Sequence, residues 1–150
     1  EAKASAPLSA DQIEVLRSSP YVYVSPLLRD GRESRCHAEV WFSWIDGRVV
    51  MTVSSEGWKA RSIDRGLDRA QLWAGDYGRV KGPSSSAEAF RQSPSFRARA
   101  EKLQNPALLE KLLKDYERKY PAEISKWRDR MRAGHAEGSR VLIRYAPEPI

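Results

Sequence analysis

The sequence predicts an α+β protein built on an antiparallel sheet. Three observations carry this expectation: β-rich runs group in the first half, two amphipathic helical periods group in the second, and the chain closes on another β-rich run. The alternating strand–helix order of a doubly wound sheet is missing. A chain of 150 residues has room for one hydrophobic core, so residues 1–150 read as a single domain. With 41% hydrophobic residues, five Trp and six Tyr, the composition lies outside the disordered class.

Residues 1–7 are small and polar and read as a flexible start. Ser9 followed by Gln12 has the capping-box spacing, and Ile13 and Leu16 give the short helix behind it one apolar side. Tyr21 to Leu28 favours a strand, which Pro26 restricts to an edge or a bulge, and Asp30-Gly31 is a turn. One long strand is expected from Arg35 to Ile45, turned by Asp46-Gly47 into RVVMTV, because a two-residue Asp-Gly loop between β-rich runs signals a hairpin. Alternation sends Ala38, Val40, Phe42 and Trp44 to one face and His37, Glu39, Trp41, Ser43 and Ile45 to the other. A strand apolar on both faces is covered on both, and in a chain of this size the second cover points to another subunit.

The segment WKARSIDRG reads as a short helix ended by Gly66, and DRAQLWAG as a strand before a loop from Gly75 to Ser86. Residues 86–133 read as mostly helical. Leu109, Leu112, Leu113 and Tyr116, then Ile124, Trp127 and Met131, keep helical spacing on either side of Pro121. The closing SRVLIRYA alternates Val141, Ile143 and Tyr145 with Leu142 and Arg144, as a strand does. Propensity alone does not separate a closed barrel from an open sheet.

The net charge of +6 favours anionic partners. Between Glu110 and Arg132, however, eight basic residues alternate with five acidic ones, which describes a solvated helix surface and argues against a nucleic-acid partner. No run approaches the roughly 18 apolar residues of a membrane span, and no leader pattern opens the chain, so a cytoplasmic protein with no membrane partner is expected. The single cysteine, Cys36, forms no internal disulfide, and Cys36, His37 and His135 lack metal-ligand spacing, so no metal is expected. Cys36 and His37 face opposite ways on a strand, and His135, between Gly134 and Gly138, reads as a surface loop residue. Asp64 and Asp68, among Arg61, Arg65 and Arg69, read as surface ion pairs. No nucleophile elbow or nucleotide-binding glycine motif is present, and with no side-chain acid or base in view the chemistry points to a cofactor.

The most suggestive block is Thr52, Val53, Ser54 and Ser55 at a strand end, followed by Lys59 and Arg61 at a helix start. Hydroxyls, helix-start N–H groups and fixed cations are what a phosphate needs, yet a strand end capping a basic surface helix fits the same spacing equally well. Trp41, Trp44, Trp58 and Trp73 lie around this block; they would wall a planar ring, and at least two of them are expected to be packing residues.

Together these pieces resemble the pyridoxamine 5'-phosphate oxidase-like family of FMN-binding split barrels. The likeness runs from LSADQIEVLRS through DGRESRCHAEVWFSWIDGRVVMTVSSEGWKARSIDR to RKYP and GSRVLIRYAPEPI. Its most specific part is the apolar strand with Val40, Trp41 and Phe42, the turn at Gly47, the strand ending in Thr52, and Lys59-Ala60-Arg61. The resemblance implies an antiparallel split β-barrel with flanking helices, and FMN with its ring along Val40, Trp41 and Phe42. It places Thr52, Val53 and Ser54 near the ring and ribityl chain and Lys59 on the phosphate, with Ser55, Trp58, Arg61 and Ser62 completing the block. It departs from the family at Ser62, where Asn is frequent, and at Gly57-Trp58, where a basic residue commonly precedes the Lys. The implied assembly is a homodimer with the cofactor at the subunit interface, and the implied activity an FMN-dependent oxidoreductase acting on a small molecule. A deazaflavin-dependent reductase and a non-enzymatic flavin- or haem-binding stress protein are the alternatives.

Overall fold

The computed structural model describes residues 8–34, 38–75, 90–93 and 95–148. In chain order the elements are α1 (Ala10–Ser18), β1 (Tyr21–Pro26), β2 (Ala38–Val40), β3 (Ser43–Ile45), β4 (Arg48–Ser54), α2 (Trp58–Asp64), β5 (Arg69–Gly75), β6 (Ser95–Leu103), α3 (Pro106–Lys119), α4 (Ile124–Glu137) and β7 (Arg140–Pro147). All strand pairs are antiparallel, in the order β2-β1-β5-β6-β7-β4-β3. The two edge strands are consecutive in sequence, separated only by Trp41 and Phe42. Three residue steps of extended chain span about 10 Å, so the seven-stranded sheet must curl until its edges approach, as a split barrel does.

Local chemistry explains most boundaries. The Ser9 hydroxyl accepts from the Gln12 amide at 3.1 Å while the Gln12 side chain accepts from the Ser9 amide at 3.0 Å, completing the capping box. Asp46 and Gly47, at φ 52° and 78°, make the β3–β4 hairpin with both turn residues left-handed. Gly66, at φ 88°, ends α2. Asn105 caps α3 by accepting from the Leu108 amide at 3.1 Å. Pro26 is the last residue of β1, where its missing N–H removes little from the ladder; β1 lies between β2 and β5 rather than at an edge.

Several expectations are corrected. The single strand read from Arg35 to Ile45 is two short strands with a break at Trp41-Phe42; Arg35, Cys36 and His37 lie outside the described residues, as do residues 1–7 and most of the expected 75–86 loop. The stretch 86–133, read as mostly helical, contains the nine-residue strand β6 in the middle of the sheet. His135 sits within α4 and is buried, not in a loop. Asp64 and Asp68 do form surface ion pairs, but across to β6, with Lys102 and Arg99.

Side-chain alternation builds two cores. Val49, Met51, Val53, Val141, Ile143 and Tyr145 join Phe42 inside the curled sheet, with Val40 and Trp44 partly buried against them. Val50 and Leu142, on the outer face, meet Leu109, Leu112, Leu113, Tyr116, Tyr120, Ile124 and Met131 of the α3–α4 hairpin and its connection, joined by Trp41 and Ile45. The two faces of 38–45 therefore divide as alternation requires, and α3 with the turn after it in the same chain supplies cover for the second face. Trp73 packs outside the sheet with Tyr23 and Phe90, a packing residue as expected of some of the tryptophans.

Candidate functional site

A cavity of about 650 Å³ lies between the outer face of β4 and β7 and the α3–α4 hairpin. Of the residues expected at a cofactor, Val40, Trp41, Thr52, Val53, Ser54 and Lys59 line it. Thr52 and Ser54 share the outer face because they alternate with Val53 along β4, and Lys59 follows on the first turn of α2. The Lys59 ammonium also lies 4.9 Å from the centre of the Trp58 ring.

The structure does not bring the other five to the cavity wall. Phe42 is fully buried inside the barrel. Ser55 ties the β4 end to the β7 start, its hydroxyl donating to the Gly138 carbonyl at 2.9 Å and its amide to the Ser139 carbonyl at 2.9 Å. Trp58 and Ser62 are partly exposed on α2, and Arg61 is exposed.

Tyr21, Glu39, Tyr116, Tyr120, Glu123, Trp127, Met131 and Arg140 complete the lining and were not singled out from the sequence as site residues. Arg140 stands opposite Ser54 in the β4–β7 ladder. Its guanidinium folds back over β4, donating to the Thr52 carbonyl at 2.9 Å and to the Thr52 hydroxyl at 3.3 Å. Burial holds its pKa below the usual arginine value.

The break at Trp41-Phe42 is satisfied almost entirely from the α3 end. Tyr116 donates to the Trp41 carbonyl at 2.9 Å, the Tyr120 hydroxyl accepts from the Phe42 amide at 3.1 Å, and the Lys119 ammonium donates to the Phe42 carbonyl at 2.6 Å. Trp41 stacks on Tyr120 with ring centres 4.1 Å apart and meets Tyr116 edge-on at 5.7 Å. Burial raises the pKa of both tyrosines, so they remain neutral phenols, and it pushes the Lys119 ammonium down to about 8. Polar backbone at a strand break is thus held in place beside the cavity, and one face of Trp41 is already occupied.

The donor set fits a phosphate ester attached to a flat ring. Lys59, Arg140, Thr52 and Ser54 supply cations and hydroxyls, Val40, Trp41 and Trp127 supply apolar surface, and the volume lies within the roughly 300–1,000 Å³ of cofactor pockets. Among the described residues no group of His, Cys, Asp and Glu could hold a metal ion, and no helix is long and apolar enough to cross a membrane.

No family model and no curated protein matches the sequence significantly. Solved structures do match. HutZ, the haem storage protein of Vibrio cholerae, superposes with a TM-score of 0.61 at 13% identity, over 95% of this chain and 92% of that one. An FAD-binding protein of Mesorhizobium loti gives 0.57 at 15%, over 94% and 91%. A proposed pyridoxamine 5'-phosphate oxidase of Lactobacillus delbrueckii gives 0.55 at 15%, over 97% and 93%. The chain therefore has the split-barrel fold of the pyridoxamine 5'-phosphate oxidase-like proteins.

Proposed function

We propose that the chain binds FMN in the β4–β7 cavity and acts as a flavin-dependent oxidoreductase on a small molecule. The observation that carries this reading is the convergence of Thr52, Ser54 and Lys59 with Val40 and Trp41 on one cavity of ligand size. Lys59 and the two hydroxyls would hold the phosphate and ribityl end, and Val40 and Trp41 would border the ring. When bound, the isoalloxazine supplies hydride or electron transfer, and the protein supplies position and polarity. An FAD-binding protein of the same fold supports the flavin class of cofactor.

The cavity is open at Trp127, whose side chain is 41% exposed. A second copy of the chain covering this mouth is the assembly we propose, and sedimentation of the flavin-loaded protein tests it. Reconstituting the purified protein with FMN and recording its visible absorbance and fluorescence quenching tests the cofactor; absence of flavin uptake by the dimer contradicts it. Lys59→Ala should weaken FMN binding, since a charged hydrogen bond contributes roughly 1.5–3 kcal/mol.

A non-enzymatic role in holding flavin or haem is the second reading. It is favoured by Tyr116 and Tyr120, the hydroxyl-bearing residues of the helical wall, whose hydroxyl protons are already committed to backbone carbonyls. Turnover of a reductant by the flavin-loaded protein argues against it.

A further inference from the structure

Arg140 is a partly buried cation with no ion pair among the described residues. Three other arginines of the same sheet and helices are matched, Arg144 with Glu101 at 3.1 Å, Arg128 with Glu117 at 3.1 Å and Arg132 with Glu110 at 2.8 Å. Arg140 instead spends its Nε and one terminal nitrogen on Thr52, and its side chain lines the cavity. The carboxylates that also line the cavity, Glu39 and Glu123, are not within ion-pair distance of it; Glu39 accepts from the Tyr23 hydroxyl at 2.8 Å. A desolvated charge without a counter-charge is costly unless something supplies one.

A second observation concerns Gly134, buried in α4. A Cβ there would lie 2.7 Å and 2.8 Å from Cγ and Cδ of Arg140 and 3.2 Å from the Ser139 hydroxyl. Those are mid-chain atoms rather than the far end of the side chain, so a methyl there forces the arginine to shift against its bonds to Thr52. Glycine weakens a helix interior, and here its missing side chain is the space through which the arginine reaches the cavity.

We propose that Arg140 is an anion-binding residue that seats the phosphate of a phosphate ester together with Lys59, and that Gly134 is the positioning residue that keeps its guanidinium in the cavity. A phosphate monoester carries a charge of about −1.5 to −2 at neutral pH, which two cations match, and a guanidinium fork meets its oxygens in pairs. The inference rests on the cavity being the ligand site proposed above and deepens it by naming the residue that selects for a phosphorylated ligand.

Inorganic phosphate is the probe, titrated at constant ionic strength into the intact protein while the arginine Nε–Hε resonances and tryptophan fluorescence are followed. Saturable movement of the Arg140 resonance is expected, with affinity reduced roughly tenfold or more in Arg140→Ala and partly restored in Arg140→Lys. Gly134→Ala should weaken phosphate comparably with its helix content intact, and Arg144→Ala should leave it unchanged. The proposal is overturned by an Arg140→Ala affinity within twofold of the parent, by an Arg140 resonance that stays still at saturation, or by no saturable binding. FMN titration in parallel separates the two ideas. Phosphate bound through Arg140 without FMN uptake retires the flavin reading alone, whereas FMN uptake that ignores Arg140→Ala retires only the role of Arg140.

Discussion

Tyr120 shows how one side chain sets local geometry here. Its hydroxyl accepts from the Phe42 amide at 3.1 Å and donates to the Pro20 carbonyl at 2.5 Å, binding the strand break to the start of β1. Tyr120→Phe leaves a buried N–H without a partner and should cost about 1–3 kcal/mol, read as a lower denaturation midpoint with an unchanged m-value. His135 is the acid-sensitive residue. Its Nε2 accepts from the Asn105 amide at 3.1 Å, its Nδ1 is buried without a partner among the described residues, and burial holds its pKa below 6.5. The unfolded ring therefore takes up its proton at higher pH than the folded one, and stability is lost as pH falls below about 6.5. His135→Gln should flatten that part of the pH–stability curve; curves that stay parallel would rule the histidine out. Thr52, Ser54 and Lys59 were legible in the sequence because they lie within eight positions of one another. Arg140 was not, because 88 positions separate it from Thr52 and only the β4–β7 ladder joins them.

Among the elements, the β3–β4 hairpin was readable from two residues and β6 was missed. Asp46-Gly47 specifies its turn locally, and Gly47 keeps φ at 78°. Gly47→Ala should therefore cost about 1–2 kcal/mol in thermal or chemical unfolding although nothing lies within 4 Å of the added methyl. Strand β6 has one large apolar residue on its inward face, Phe96, followed only by the small Ala98 and Ala100, and these alternate with Arg97, Arg99 and Glu101. The alternation was present, but without large β-branched residues it carried little propensity. The break at Trp41-Phe42 had no local sign at all. Its hydrogen bonds come from Tyr116, Lys119 and Tyr120, more than seventy positions away, so only the docked helix shows that the strand divides.

At the scale of the whole molecule, the same break carries the chain from one edge of the curled sheet to the other, whose edge strands do not pair. The α3–α4 hairpin covers the outer face of β4 and β7 except at the cavity, where polar Thr52, Ser54 and Arg140 replace the apolar Val50 and Leu142 of the adjoining core. The α+β class and the two-faced nature of 38–45 followed from residue patterns, whereas the strand order and the elements that cover each face followed only from packing. The account's central claim is that this polar gap is a seat for a phosphate ester on a flat ring. Calorimetric titration of the intact protein with FMN and with riboflavin tests it directly, since the two differ only in the phosphate. The account predicts FMN to bind at least about tenfold tighter, the worth of one charged hydrogen bond; equal affinities, or no binding of either, would contradict it.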